Sequence, residues 1–154
     1  MKKYLAIVIM IVAGAGCSSS QNSQKQASTD ITVLEYKAYT RGSNKEVTIT
    51  RDKVEVKELR LGKNIEATYP LSKDNWDKLT ALAKKVNLEK METLEAPTKA
   101  HQYDGAMAAH LTITASDAIY RSVTFDDGNP PAEIKALVDE ITGISGVGKI
   151  QVKE

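Results

Sequence analysis

The spacing of apolar residues changes period along the chain, and this change most constrains the fold. From residue 31 to residue 70, apolar and polar residues alternate in four segments, which is typical of strands with one buried face. The apolar residues are Leu34, Tyr36 and Ala38, then Val47 and Ile49, then Val54 and Val56, and finally Ile65, Ala67 and Tyr69. Short turns separate the segments, so we expect a four-stranded antiparallel meander.

After residue 70 the spacing becomes helical. Ser72 is predicted to cap a helix, and Leu71 before the cap and Trp76 inside the helix form a hydrophobic staple. The apolar stripe of this helix is Trp76, Leu79, Leu82, Ala83 and Val86. Residues 88–94 continue at three-residue spacing, which predicts a short helical turn or an irregular segment before Pro97. We expect this helix to pack on the sheet with Trp76 in the core.

Alternation returns after a predicted polar loop at 98–105. It runs through Met107, Ala109, Leu111 and Ile113 and predicts one strand of a hairpin. A turn at 116–117 leads to the second strand, whose inward residues are predicted to be Ile119, Val123 and Phe125. The hairpin adds two strands to the meander.

An acidic turn at 126–129 precedes the last predicted helix. Pro130 and Pro131 fit its first turn, and Gly143 is predicted to end it. The buried stripe of this helix is Ile134, Leu137, Val138 and Ile141. Residues 146–154 could add a short edge strand or fray.

These elements follow one another in the order ββββαββα. We therefore predict an α+β fold in which an antiparallel sheet, made of a four-stranded meander and a C-terminal hairpin, carries two helices on one face. Residues 31–154 form a single domain, because a segment of this length supports one core and is too short for two.

The first seventeen residues have the organisation of an export signal. Two lysines precede an apolar run at 4–12 that is too short to remain as a bilayer-spanning anchor. The small residues at 13–16 lead to Cys17, and this segment resembles the lipobox of bacterial lipoproteins. The resemblance implies that residues 1–16 are removed and that Cys17 is acylated.

An ordinary secretory signal is the alternative for this segment. The small residues before the cysteine also fit the cleavage site of such signals, and Gly14 stands where lipoboxes usually carry a branched aliphatic residue. Cys17 is the only cysteine of the chain, however, so it has no disulfide partner within the chain. A thioether bond to a lipid accounts for this thiol, and we predict acylation.

Residues 17–30 are polar and are predicted to form a flexible tether with an average reach of roughly 20 Å. Removal of residues 1–16 takes away two of the 21 Lys and Arg residues and none of the 20 Asp and Glu residues, which leaves a net charge of about −1. Nucleic-acid binding needs a net basic face, so we expect no nucleic-acid partner. The predicted membrane contact is the lipid on Cys17.

Several segments of the domain resemble a known group of proteins. Tyr103-Asp104-Gly105-Ala106, Leu111-Thr112-Ile113 and the stretch from Phe125 to Pro131 before an amphipathic helix are similar to small lipoproteins of Bacteroidota. The resemblance implies one α+β domain on a lipid tether and supplies no catalytic residue. In related lipoproteins a serine after the cysteine accompanies outer-membrane sorting, and nearby acidic residues accompany transfer to the cell surface. Because residues 18–29 contain no acidic residue, the resemblance implies an outer-membrane lipoprotein that faces the periplasm.

Few residues of the domain indicate chemistry. His101, Asp104 and His110 could act as metal ligands, or as a base with its orienting acid. On simple alternation, His110 is interpreted as a surface histidine in a polar row. The turn at 126–129 offers oxygens that Ca²⁺ would use, but the prolines after it favour a turn that leads into a helix. We assign no catalytic, cofactor-binding or metal-binding residue, and the one modified residue that we predict is Cys17.

Two functional hypotheses from different classes follow. The first is a lipid-anchored cell-envelope protein that binds an envelope protein or a wall component without catalysis. The alternative is a small metal-dependent or hydrolytic envelope enzyme that uses His101, Asp104 and His110. Convergence of these three side chains would favour the enzyme, and separation would favour the binding protein.

Overall fold

The computed structural model describes residues 30–60 and 62–146. The strands are β1 (Ile31–Thr40), β2 (Ser43–Ile49), β3 (Lys53–Arg60), β4 (Lys63–Pro70), β5 (Ala108–Ala115), β6 (Ile119–Arg121) and β7 (Phe125–Asp126). The helices are α1 (Lys73–Ala83) and α2 (Ala132–Ser145), with 3₁₀ helices at Leu88–Thr93 and Ala100–Tyr103. The predicted signal peptide, Cys17, the tether before Asp30 and the predicted tail strand after residue 146 lie outside the described residues.

All seven strands belong to one antiparallel sheet. The order is β4-β3-β2-β1-β5-β6, and β7 pairs with the start of β5 beside β6. Strands β1 to β4 form the predicted meander, and the pairing of β1 with β5 joins the two halves of the chain. The α+β fold and its order ββββαββα are therefore confirmed, with the last predicted strand divided in two.

The core lies between one face of the sheet and the two helices, and α2 packs over β1, β2 and β3. Its largest fully buried side chains are Tyr36, Phe125, Leu34, Ile49, Leu79, Met91, Leu111, Ile113, Ile134, Leu137, Ile141 and Val47. Ser72 caps α1 as predicted, since its hydroxyl accepts from the N–H of Asn75 at 3.2 Å. Trp76 and Leu71 are both buried in the core cluster, which confirms the predicted place of Trp76. The apolar stripe outlasts α1, because Val86 reaches the core from the turn that follows the helix.

The prediction for the second hairpin strand is partly wrong. Ile119 pairs with Thr114 on the open face of the sheet and is 70% exposed, while its neighbour Tyr120 packs against the core. The strand then breaks, because the N–H of Val123 donates to the carbonyl of Met91 in the first 3₁₀ helix. This break resets the alternation and returns Phe125 to the core.

Both predicted ends of the last helix are wrong by a few residues. The helix begins at Ala132, and Pro131 is its N-cap with an extended ψ of 144°. It continues through Gly143 and ends at Gly146, whose φ of +62° is left-handed. Gly146 lacks a Cβ and adopts this conformation without strain, so it provides the stop that was predicted for Gly143.

The polar segment at 98–105 is more ordered than a loop, since it contains the second 3₁₀ helix. Within residues 30–60 and 62–146, no helix has the length and apolar character needed to cross a bilayer.

Candidate functional site

The acidic turn at 126–129 is the centre of the polar structure at one end of the sheet. Within this turn the N–H of Asn129 donates to the carbonyl of Asp126 at 2.8 Å, and Gly128 has a left-handed φ of +86°. It leads into α2, as predicted. The adjacent carboxylates of Asp126 and Asp127 bind different parts of the chain, so the turn joins the 98–101 segment to the meander.

Asp126 is buried and accepts several hydrogen bonds. Its carboxylate accepts from the Thr98 hydroxyl, from the N–H of Ala100 at 2.9 Å and from the N–H of His101 at 2.8 Å. Burial alone would raise the pKa of Asp126, but these donors and the His101 ring outweigh it and hold the pKa well below its usual range. Asn129 extends the network by donating to the Thr98 hydroxyl at 2.9 Å.

His101 forms a histidine–carboxylate pair with Asp126. Its Nδ1 lies 2.6 Å from Oδ1 of Asp126, and because an ionised carboxylate only accepts, Nδ1 carries the proton. When the ring is neutral, Nε2 is therefore the free acceptor, which is the tautomer that a general base requires. The side chain of His101 is 12% exposed.

The three residues of the predicted enzyme site do not share one set of contacts. Asp104 is an exposed residue at the end of the second 3₁₀ helix with a left-handed φ of +58°, whereas His101 pairs with Asp126. His110 lies in β5 beside Lys37 and Arg121. Over residues 30–60 and 62–146, no three His, Cys, Asp or Glu side chains come together in a metal-binding group.

His110 belongs to the polar row that was predicted, but it is not a surface residue. It is 7% exposed, and the ring of Tyr39 lies 6.3 Å away in an edge-on arrangement. The guanidinium of Arg121 approaches Nδ1 at 3.2 Å, and because a guanidinium only donates, Nδ1 accepts. Burial, together with the positive charges of Arg121 and Lys37, lowers the pKa of His110 to about 4.

A second polar cluster was not anticipated from the sequence. Asp127 accepts from the hydroxyl of Tyr36 at 2.5 Å and from Nζ of Lys45 at 2.7 Å. Burial and the neighbouring carboxylate raise the pKa of Tyr36, so its hydroxyl remains a donor. The alternation of β2 places Lys45 on the core side opposite Ala38, and this placement was the available signal for a buried partner.

The open face of the sheet carries alternating charges in one transverse row. Lys37 pairs across strands with Glu46, Glu46 with Lys57, and Lys57 with Glu66. The Nζ of Lys37 lies 3.1 Å from Glu46, which closes the first pair of this row. A shallow depression of about 330 Å³ lies over β3 and β4 at the outer end of the row.

The row ends at β4, and no strand of the described residues lies beyond it. The N–H of Thr50 donates to the carbonyl of Lys53, so odd-numbered residues of β3 bond to β2 and even-numbered residues bond to β4. Through the register of β3 and β4, the backbone groups of Asn64, Glu66 and Thr68 therefore face outward. Among the residues that the structure describes, these groups have no strand partner, which is the arrangement of a sheet edge that can pair with another strand.

Comparisons with protein families, characterised proteins and solved structures return no match. Within the described residues, the structure offers one oriented histidine and one long open sheet edge.

Proposed function

We propose that this chain is a lipid-anchored cell-envelope protein, held at the periplasmic side of the outer membrane through Cys17, whose domain binds an envelope protein or a wall component. The observation that carries the binding role is the open side of the sheet. One face is free of helices in the described part of the chain, and it ends at the unpaired edge of β4. Surfaces of this kind bind extended segments and flat partner surfaces.

The lipid anchor rests on the sequence. Cys17 follows small residues and an apolar run, and a polar tether separates it from the first strand. A tether of this reach presents the sheet to partners near the membrane. The proposed anchor and the binding surface therefore support the same role.

Metabolic labelling with a radioactive or alkyne fatty acid tests the anchor. Wild-type protein should take up label and fractionate with membranes, whereas Cys17→Ser should carry no label and appear as soluble domain or as uncleaved precursor. Absence of label on the wild-type protein would overturn the lipoprotein proposal. Cross-linking in intact envelopes then tests the binding role.

A hydrolytic function is the second candidate, and the 2.6 Å contact between His101 and Asp126 favours it. A base oriented by a carboxylate can activate water or a nucleophile of a substrate. His101→Gln should abolish any hydrolysis of envelope esters or amides while the fold is retained. If His101→Gln abolishes the biological phenotype while partner capture is unchanged, the enzyme replaces the binding protein as the better account.

A further inference from the structure

Strand β4 differs from the other edge of the sheet. It is eight residues long and pairs without interruption along β3, from Lys53 opposite Pro70 to Arg60 opposite Lys63. The opposite edge consists of β6 and β7, which have three and two residues, and the first 3₁₀ helix contacts the break between them. Short, interrupted and covered edges resist pairing, so β4 is the edge that can accept a strand.

The outward backbone groups of β4 define where such a strand would bind. The N–H and C=O groups of Asn64, Glu66 and Thr68 face away from β3, and an antiparallel strand would satisfy all of them. Pro70 occupies the next outward position and has no N–H, so pairing with an added strand ends there. Because its missing N–H would face outward, the hydrogen bonds between β3 and β4 are not affected. The site therefore accepts an extended segment of about seven residues.

Three of the four core-side residues of β4 form an apolar row, and the fourth, Lys63 at the start of the strand, is charged and exposed. Ile65 and Ala67 are half-buried and Tyr69 is 43% exposed. Their cross-strand partners in β3 are almost fully buried and are Glu58, Val56 and Val54 in that order. A strand added to β4 would place every second side chain against this row. Branched aliphatic residues at those positions would bury the exposed parts of Ile65 and Tyr69.

The open-face residues of β4 determine the charge of the partner. The transverse row alternates in sign from Lys37 through Glu46 and Lys57 and ends on the acidic Glu66. The next position in this row lies in the added strand, and a lysine or arginine there would continue the alternation. Asn64 and Thr68 on either side of Glu66 tolerate any polar residue.

We propose that the edge of β4 binds an extended segment of another protein, added antiparallel to the sheet, in which branched aliphatic residues alternate with basic residues. The proposal rests on the binding role proposed above, since it names the ligand class of the same surface. It does not rest on the lipid anchor. The sequence Lys149-Ile150-Gln151-Val152-Lys153 of this chain has the same alternation, so it is the competing occupant that a test must separate.

Peptide binding to the full chain, purified in detergent, tests the proposal. The probe is a nine-residue peptide that alternates Lys with Ile and Val. The controls are a shuffled peptide without alternation, a peptide with Glu in place of Lys, and an N-methylated peptide that cannot pair. Binding of the probe alone, with slowed amide exchange at Asn64, Glu66 and Thr68, is the expected result.

Two variants assign the binding to β4. Glu66→Lys reverses the charge at the end of the row, and Thr68→Pro removes an outward N–H and leaves the pairing with β3 intact. Each variant should lower the affinity for the probe about tenfold, which corresponds to the loss of one hydrogen bond or one ion pair. Glu92→Lys makes the same charge change at an exposed position of the first 3₁₀ helix and should leave binding unchanged. Urea titration of each variant verifies that the fold is retained.

The outcomes separate the possible occupants. Failure of the probe to bind both the full chain and a variant that lacks residues 147–154 would overturn the proposal. Binding to the shortened variant alone would show that the chain's own tail occupies the edge, which overturns the external partner. Either failure would leave fatty-acid labelling of Cys17 unaffected, so it is distinguishable from failure of the lipoprotein proposal.

Discussion

Asp126 and Asp127 are neighbours in the chain, yet each joins a different pair of segments. Asp126 accepts hydrogen bonds from the backbone of the 98–101 segment. Asp127 accepts from Tyr36 of β1 and from Lys45 of β2. The sequence shows two acidic residues in a turn and cannot show which donors reach them, since those donors lie about 25 to 90 residues away. Contacts over such separations are set by the sheet, so this site could not be predicted from local patterns.

Asp126→Asn should destabilise the domain and change its response to acid. Because the pKa of Asp126 is depressed in the folded state, the carboxylate stabilises the fold at pH values above its unfolded pKa of about 3.9, and this stability is lost as the pH falls further. Urea titrations at pH 7 and pH 3 should show a smaller difference for Asp126→Asn than for wild type. Asp104→Asn, at an exposed position, is the matched control and should behave as wild type.

His110 should affect stability in a different pH range. Its pKa is about 4 in the folded state and near 6.5 when unfolded, so the unfolded chain binds the proton first. The free energy of unfolding should therefore be constant above pH 6.5 and fall as the pH drops from 6.5 to 4. His110→Gln should flatten this segment of the profile. An NMR titration of the His110 ring with a midpoint above 6 would contradict the account.

At the scale of elements, the two glycines of α2 should respond in opposite directions to alanine. Gly143 is inside the helix and a Cβ there would meet open space, so Gly143→Ala should stabilise by about 0.5 to 1 kcal/mol. Gly146 has a φ of +62°, and Gly146→Ala should destabilise by about 1 kcal/mol. Thermal or urea unfolding measures both. Equal effects of the two substitutions would place the end of α2 elsewhere.

The contact of α2 with the sheet can be tested with one buried residue. Leu137 is 1% exposed, so Leu137→Ala should cost about 2 to 5 kcal/mol of unfolding free energy in a urea titration. Ile119→Ala is the control, because Ile119 is 70% exposed and its truncation should cost less than about 0.5 kcal/mol. A value near zero for Leu137→Ala would show that α2 does not cover the core.

Elements with long regular patterns were predictable from the sequence, and interrupted elements were not. The alternation of Leu34, Tyr36 and Ala38 fixed the buried face of β1, and the Ser72 cap located α1, because both features are local. The prediction for the second hairpin strand is wrong at Ile119. A tertiary hydrogen bond from the N–H of Val123 to the carbonyl of Met91 interrupts the strand and shifts the alternation of its inward residues. The predicted stop at Gly143 is wrong because the left-handed φ of Gly146 cannot be derived from the sequence.

The proposed function of the whole molecule depends on two separate parts of the chain, Cys17 and the edge of β4. The proposed lipid on Cys17 would hold the protein at the membrane, and β4 forms the edge of the sheet in the described part of the chain. Cys17→Ser should release the domain from membranes or leave an uncleaved precursor, and the released domain should keep the urea midpoint of the wild type, because the buried core of the described residues is formed between Ile31 and Ile141. Membrane fractionation and urea titration of the same preparation measure both.

If the molecule binds its partner at the edge of β4, site-specific photo-cross-linking in intact cells should capture that partner there. A photoreactive residue is placed at Thr68 on the edge of β4, and in a second strain at Glu92 on the first 3₁₀ helix, with Cys17 retained. Position 68 should give a discrete adduct to an envelope protein that Glu66→Lys strongly reduces, and position 92 should give no adduct of that size. The same adduct from both positions, or an adduct from position 92 alone, would contradict binding at the edge of β4.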